Sequence, residues 1–232
     1  MRSAVRENAL QCAFGKRKGH VEKATVLENI PFTIEPVRVL REMRIPRAAS
    51  LDEIEERPLA EAIRRAIERG YTLVRGRGVY RSFKLEGVAG NTVRGAGTDD
   101  LFTGAHMVKL LGGCDRATLL ACTIGPELEA EVERLSQAGE LTESYALEMV
   151  GGLMADYMAE RVDERIEADI RRAGYGRTMR FSPGYGDWEL SHQPRALRLV
   201  EAERIGIRLT ETNIMLPRKS VSAIIGWKRS QE

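Results

Sequence analysis

The chain has 232 residues, and its 36 Lys and Arg nearly balance its 34 Asp and Glu, so the formal net charge is only +2. With 43% hydrophobic residues, the composition is that of an ordinary globular protein of one or two domains. Such a chain is not expected to be disordered, and its charge gives no case for binding nucleic acid or a membrane surface.

The cysteines and the hydropathy pattern indicate a reducing compartment. Cys12, Cys114 and Cys122 are too few and too irregularly spaced for a disulfide framework. The longest apolar runs are far shorter than a membrane span, and the N-terminus lacks the apolar core of a secretory signal. We therefore expect a cytoplasmic protein.

The excess of positive over negative charge lies in the first 23 residues. They hold six basic and two acidic residues, a net +4, which leaves 30 basic and 32 acidic residues, a net −2, in residues 24–232. We expect residues 1–23 to form a poorly ordered basic leader, with a nucleic-acid arm as the alternative interpretation, and residues 24–232 to form a single domain.

The first predicted elements are two helices. Apolar spacing predicts a short helix over Pro36–Met43. A second helix is predicted from Leu51 to Arg69, with Ser50 and Glu53 as a capping box, a restart at Pro58, and Gly70 as its C-terminal stop.

Beyond Gly70, apolar residues recur at every second position, as in a β-strand. Tyr71–Val74 and Val79–Leu85 are predicted to be the strands of a hairpin. The glycine-rich stretch from Gly87 to Gly97 is predicted to be a loop or an irregular strand. A helix is expected from about residue 98 to Leu111, followed by a central strand over Ala117–Thr123.

Two helices are predicted next, one from Pro126 and a long one from about Thr142 to Ala173. The first half of the long helix is apolar and contains Gly151 and Gly152, which suggests close approach of another element. Its second half is charged on most faces, so we expect it to project into solvent.

The last third begins with a turn-rich segment, Arg180–Gln193. A helix over Pro194–Ile205 and strands over Thr212–Leu216 and Ser220–Trp227 follow. Strands and helices mix without βαβ alternation, which favours an α+β fold with a largely antiparallel sheet flanked by helices.

Familiar site motifs are not found. His106, Cys114 and Cys122 have no metal-ligand spacing, so we expect no metal site and treat the cysteines as buried thiols. The run from Gly95 begins like a dinucleotide fingerprint, but Asp100 stands at the last glycine position.

The segment from Arg180 to Trp188, Arg-Phe-Ser-Pro-Gly-Tyr-Gly-Asp-Trp, is more informative. Pro183 and Gly184 form a type II turn signal. The glycines beside Tyr185 leave room for a ligand to approach the backbone, and Arg180 offers a fork of donors for a carboxylate or phosphate. The same residues also fit an aromatic-packed turn that anchors a helix, and both interpretations stay open.

This segment resembles the Arg-x-x-Pro-Gly-Tyr signature of the reactivation domain of vitamin B12-dependent methionine synthase. Ala155–Val162 resembles the long helix upstream of that signature, Ile205–Glu211 the strand entry downstream, and Ser220–Ser222 the Ser-Val-Ser near the end of the domain. The similarity covers about residues 101–226, and the chain looks most like the small stand-alone bacterial members.

The resemblance implies a twisted antiparallel sheet with flanking helices that binds S-adenosylmethionine and packs over cobalamin held by another module. After accidental oxidation of the cobalt, an electron from a flavodoxin- or ferredoxin-type donor reduces it and the methyl sulfonium remethylates it. The chain would then reactivate or assist a corrinoid-dependent methyltransferase; whether it is itself an enzyme stays open. The alternative is a corrinoid-protein binding module of the same fold without S-adenosylmethionine chemistry.

Residue roles also follow from the resemblance. Arg180 would contact the methionine carboxylate, the backbone of 182–184 would receive the cofactor, and Tyr185 would face the corrin or the methyl group; no catalytic residue is assigned. The expected cofactor-binding set is Arg180, Ser182, Pro183, Gly184, Tyr185, Asp187 and Trp188.

The sequence departs from the family pattern at three places. Gly152 stands where the family carries an acid one turn before Asp156, Gly186 replaces the Pro after the signature Tyr, and the chain ends shortly after Gly226, where the family adds an aromatic contact to the nucleoside. Asp156, Asp187 and Glu189 are candidate substitute acids.

A third hypothesis is an unrelated small-molecule enzyme. It requires a titratable cluster in which Asp99, Asp100 or Asp187 lies near His192.

Overall fold

The computed structural model of the protein describes residues 22–45, 50–98 and 101–229. Most of the predicted leader, 1–23, and both Asp99 and Asp100 lie outside these ranges. The described residues form six α-helices: α1 (Pro36–Glu42), α2 (Arg57–Leu73), α3 (Ala105–Leu111), α4 (Glu127–Gln137), α5 (Leu141–Arg172) and α6 (Gln193–Val200). None of these helices combines the length and apolar character that crossing a membrane requires.

Nine strands accompany the helices in the described ranges. They are β1 (Thr25–Glu28), β2 (Arg77–Ala89), β3 (Thr92–Gly95), β4 (Phe102–Thr103), β5 (Cys114–Thr123), β6 (Tyr175–Arg177), β7 (Arg208–Leu209), β8 (Met215–Leu216) and β9 (Ser220–Arg229).

The main sheet has the order β4-β3-β2-β5-β9-β6, and β1 pairs with the first part of β2. Every pairing is antiparallel, and β7 and β8 form a separate two-stranded hairpin. The predicted α+β class with an antiparallel sheet is therefore confirmed. The predicted strand Ala117–Thr123 lies within β5, which is central because it pairs with both β2 and β9.

Two apolar cores cover the two faces of the sheet. Because side chains alternate along a strand, Leu120 and Cys122 of β5 join the core beneath α1, α2, α4 and α5, whereas Leu119 and Ala121 join the core beneath α3 and α6. The sheet is thus buried on both sides, which explains why β5 is apolar from Leu119 to Cys122.

The prediction that the second half of α5 projects into solvent is wrong. Val162, Ile166 and Ile170 form a buried stripe there. The hydroxyl of Tyr80 in β2 donates a hydrogen bond to the Asp169 carboxylate at 2.7 Å. The many charged residues on the outer faces of α5 led to this error. The helix is an ordinary amphipathic one that lies along the sheet.

The predicted hairpin strand Tyr71–Val74 is also wrong, because α2 continues to Leu73. Gly70 does not stop the helix: a Cβ there would lie 2.5 Å from Cε of Met154, so the glycine allows α2 to approach α5. The Tyr71 hydroxyl accepts a hydrogen bond from the Ile34 backbone at 2.6 Å, which ties this last turn to the segment before α1.

Local signals misplaced three further boundaries. Ser50 donates to the Glu53 carboxylate at 3.2 Å above a 3-10 turn, so the predicted capping box is not formed. The predicted helix from residue 98 starts only at Ala105. The predicted helix Pro194–Ile205 breaks at Glu201, whose φ of 60° is left-handed, and continues as a 3-10 turn.

The two glycines in α5 have different surroundings. A Cβ at Gly151 would lie 2.4 Å from Cδ2 of Leu128, a fully buried residue of α4. A Cβ at Gly152 would meet only Nζ of Lys219, at 3.9 Å. The expected close approach therefore holds at Gly151 and not at Gly152.

This difference predicts the outcome of a matched pair of substitutions. Gly151→Ala and Gly152→Ala both gain about 1 kcal/mol of helix propensity. Only Gly151→Ala overpacks a buried side chain, which costs about 1–3 kcal/mol. Urea denaturation should find Gly152→Ala more stable than the parent and Gly151→Ala less stable than Gly152→Ala; equal unfolding free energies for the two variants would contradict this packing.

Candidate functional site

The signature segment continues the edge of the sheet beyond β6. The Thr178 amide donates to the Gly226 carbonyl at 3.0 Å, and Phe181 and Ile224 exchange two backbone hydrogen bonds at 3.0 and 2.8 Å. Alternation then places the Phe181 ring on the α6 side of the sheet and Arg180 toward α5. β9 thus sets the direction in which the Arg180 side chain leaves the backbone.

The predicted turn follows at once. The Tyr185 amide donates to the Ser182 carbonyl at 3.3 Å, and Gly184 has a φ of +90°, as the third residue of a type II turn requires. The Gly184 amide donates to the Trp188 carbonyl at 2.7 Å, so the loop folds back on itself. Tyr185 at its tip is 68% exposed.

Trp188 anchors this loop from behind. Its side chain is fully buried, and its Nε1 donates to the Leu101 carbonyl at 3.1 Å. Its ring packs against Phe181 and Phe102, with centroids 6.2 and 6.1 Å away. Trp188 therefore supports the turn from the core rather than facing the cavity described below.

Asp187 ties the loop to the start of α3. Its carboxylate accepts from the His106 backbone amide at 3.2 Å and lies 3.1 Å from His106 Nδ1. Gly104 makes room, because a Cβ there would lie 2.7 Å from the Asp187 carboxyl group. The loss of surrounding water disfavours the charged carboxylate, but the N–H groups of His106 and Ala105 and the His106 ring outweigh it and lower the pKa of Asp187.

The titratable cluster of the third hypothesis is not formed in the described residues. Asp187 contacts His106, whereas His192 Nδ1 is buried without a hydrogen-bond partner. Asp99 and Asp100 lie outside the described ranges.

A cavity of about 390 Å³ opens beside the turn. Arg180, Ser182, Pro183 and Tyr185 of the predicted set line it; Gly184 lies within the turn, and Asp187 and Trp188 lie behind it. The remaining lining residues come from the rest of the segment, α5, α6, the β7–β8 hairpin and β9: Phe181, Asp156, Gln193, Met215, Ser220, Val221 and Ser222.

The cavity, which we call the turn cavity, brings one cation and one anion together. Arg180 Nη1 is buried and has no hydrogen-bond partner among the described residues. Asp156 is the one acid among the described lining residues. Loss of surrounding water raises its pKa, and the attraction of Arg180 opposes that rise. A guanidinium nitrogen that lacks a partner beside a cavity is suited to an anionic ligand.

Two neighbouring carboxylates, those of Glu160 and Glu148, already form ion pairs. Arg38 of α1 holds Glu160 in a fork of 3.1 and 3.0 Å bonds, and its guanidinium lies 4.2 Å from the Tyr157 ring centre. One turn before Asp156, Lys219 Nζ donates to the Glu148 carboxylate at 2.6 Å and lies beside Gly152. On the α5 wall, Asp156 is the acid among the described lining residues, and Glu148 keeps one buried oxygen, Oε2, without a hydrogen-bond partner.

Sequence reasoning missed Gln193 and Met215 as lining residues. The buried Gln193 amide donates to the Asn213 carbonyl at 2.6 Å and accepts from Ser222 Oγ at 3.2 Å, which connects the hairpin to β9. The sequence carries no signal for Gln193, because its burial, which makes the amide find partners, arises only in the tertiary structure.

The cysteines are free in the described part of the chain, where no group of three or more His, Cys, Asp or Glu is placed to hold a metal ion. Burial raises the pKa of the Cys122 thiol to about 12, which makes it unreactive at neutral pH.

A sequence profile described as the activation domain of vitamin B12-dependent methionine synthase matches residues 102–231, more than half of the chain. The chain belongs to this family. The resemblance inferred from the Arg180–Tyr185 signature is thereby confirmed.

The fold of this activation-domain protein also matches a solved structure. A crystal structure of the MetH reactivation domain bound to AdoHcy aligns with a TM-score of 0.59 over 92% of this chain and 81% of that one, at 17% identity. Because 92% of the chain is covered, the shared fold extends beyond the residues that match the profile. A search of curated proteins returns no match.

The Asp187 contacts predict how stability depends on pH. Because the folded pKa of Asp187 is lowered, its stabilisation is present above the unfolded pKa of about 3.9 and is lost as the pH falls through the folded pKa. Asp187→Asn should therefore be less stable than the parent at pH 7, and the difference should shrink as the pH falls below the unfolded pKa and through the folded one.

Denaturation of both proteins between pH 7 and 2 measures this difference. Glu211→Gln, which removes an exposed carboxylate outside the loop, is the matched control and should follow the parent. A constant gap between Asp187→Asn and the parent across the whole range would refute the charged anchor.

Proposed function

We propose that this protein binds an S-adenosylmethionine-type ligand in the turn cavity and presents it to cobalamin on the module of a corrinoid-dependent methyltransferase. Its role is to reactivate or assist that methyltransferase in trans. The observation that carries the proposal is the buried, partnerless Nη1 of Arg180 inside a cavity built by the family signature.

The chemistry of the ligand complements the cavity. S-adenosylmethionine and S-adenosylhomocysteine carry an α-carboxylate that would give Arg180 Nη1 the charged acceptor it lacks. Their α-ammonium group suits Asp156, which lines the same cavity. A volume of about 390 Å³ lies within the range of small-molecule sites, and the structural neighbour was crystallised with AdoHcy.

The ligand's sulfonium would supply the methyl group, and the chain's own residues hold and orient it. Ser182 and Pro183 form the wall at the start of the turn, and Tyr185 lies at the mouth. The turn is held by backbone hydrogen bonds and by Trp188, so the cavity is formed before a ligand arrives.

The mouth of the cavity supports docking of a corrinoid module. The lining residue Tyr185 is 68% exposed there. An exposed aromatic side chain beside a cavity is a common feature of interaction surfaces. The proposal also requires an electron donor of the flavodoxin or ferredoxin type.

A second candidate is a corrinoid-protein binding module without S-adenosylmethionine chemistry. The observation in its favour is the scarcity of acids for a sulfonium. Asp156 is the one carboxylate among the described lining residues and has a raised pKa, and the Lys219 ammonium lies on the same wall beside Gly152. Radiolabelled methyl transferred from S-adenosylmethionine to cobalt would eliminate this candidate.

The first proposal predicts a specific loss of ligand affinity. Arg180→Gln should weaken S-adenosylhomocysteine binding at least tenfold in isothermal titration, because a hydrogen bond to a charged group contributes about 1.5–3 kcal/mol. Arg198→Gln, an exposed arginine on α6 outside the cavity, should bind as the parent does. Equal affinities of Arg180→Gln and the parent, or no binding by the parent, would refute it.

Docking predicts a separate effect at the tip of the turn. Tyr185→Ala should lower the affinity for a cobalamin-loaded module at least tenfold, since exposed tyrosines often dominate interfaces. Tyr145→Ala, a 52% exposed tyrosine on α5 outside the cavity lining, is the control and should bind normally. Biolayer interferometry measures both, and an unchanged Kd for Tyr185→Ala would place the docking surface elsewhere.

A further inference from the structure

A second cavity lies on the other side of the signature segment. It has a volume of about 500 Å³ and lies between α3 and the edge formed by β6 and β9. We call it the edge cavity. Phe181 lines both this cavity and the turn cavity, and no other described residue lines both. The edge cavity is therefore a separate site that shares one wall with the first.

The lining of the edge cavity is basic. Four of its described lining residues, His106, Lys109, Arg177 and Lys228, carry basic side chains, and none is Asp or Glu. Residues 24–232 have a net charge of −2, so the basic lining of this cavity differs in sign from the net charge of these residues. A cavity lined by one sign of charge attracts ligands of the opposite sign.

Two of these basic residues have an acidic partner and two do not. Arg177 donates to Asp163 at 2.9 Å, and His106 lies against Asp187. Lys109 and Lys228 are exposed and form no ion pair with any residue in the described ranges. The free charge facing the cavity is therefore that of two ammonium groups, which matches a dianion.

The other walls are apolar. Leu110 and Phe181 are partly buried, and Met179 is 72% exposed. The His106 and Phe181 rings stack with centroids 6.2 Å apart and an interplanar angle of 15°. A flat apolar group could pack against these side chains beside the two lysines. Inorganic phosphate alone would leave the apolar side chains uncovered.

We propose that the edge cavity binds a phosphate monoester with a flat apolar body, with Lys109 and Lys228 on the phosphate and Leu110, Met179 and Phe181 against the body. A phosphate monoester carries about −1.5 to −2 charges at pH 7, which the two lysines balance. Lysine binds phosphate as a point charge, so this site needs no fixed fork of donors.

Titration of the full chain with phenyl phosphate, inorganic phosphate and phenol tests the proposal. Phenyl phosphate should bind at least tenfold more tightly than either of the other two, and its affinity should fall as NaCl is raised. The double variant Lys109→Gln/Lys228→Gln should lose at least tenfold in affinity for phenyl phosphate. Lys84→Gln, an exposed lysine on β2 outside the cavity, should retain it.

The remaining outcomes overturn the proposal. They are no phenyl phosphate binding at millimolar concentration, equal binding by the double lysine variant and the parent, or equal affinity for inorganic phosphate. Poly-glutamate binding that requires the two lysines, without phenyl phosphate binding, would assign the surface to an acidic protein and also overturn it. Arg180→Gln should leave phenyl phosphate affinity unchanged, which separates this site from the turn cavity.

Discussion

The burial of Trp188 is the constraint on which the site depends. Its indole N–H donates to the Leu101 carbonyl, and its ring packs against Phe102 and Phe181 in the core beneath α3 and α6. A loop that carries Tyr185 into solvent would otherwise be free to move. Because both ends of the turn are fixed, one by Trp188 and one by the backbone pairing of Phe181 with Ile224, the Arg180 guanidinium points into a formed cavity without a ligand.

The same segment separates two cavities of different charge. On the α5 side, Arg180 and Asp156 offer a ligand one positive and one negative group. On the α3 side, Lys109 and Lys228 offer positive charge alone. Phe181 lines both cavities, and Asp187 holds the loop against His106, a lining residue of the second. The strand pairing that orients Arg180 therefore also shapes the edge cavity.

Local chemistry predicted the elements whose signals lie within a few residues. The Pro183-Gly184 turn, the long helix α5 and the central strand β5 are of this kind. Gly70 was misinterpreted because its reason is a contact with Met154 of α5, about eighty residues later in the chain. The signature predicted Arg180 and Tyr185 as site residues, but the lack of a partner for Arg180 and the lining role of Gln193 follow from tertiary structure. Trp188 looked like a ligand contact because an aromatic residue in a turn has no visible partner in sequence; its partners are Leu101 and Phe102.

The central claim is that the turn cavity holds an amino-acid-bearing S-adenosyl ligand through Arg180. A crystal structure of the protein with S-adenosylhomocysteine is the most direct measurement. The ligand carboxylate is expected within about 3 Å of Arg180 Nη1, the distance of a charge-assisted hydrogen bond, with the ligand beside Ser182 and Pro183. A ligand bound elsewhere, or an Arg180 guanidinium that contacts only protein in a saturated crystal, would contradict it.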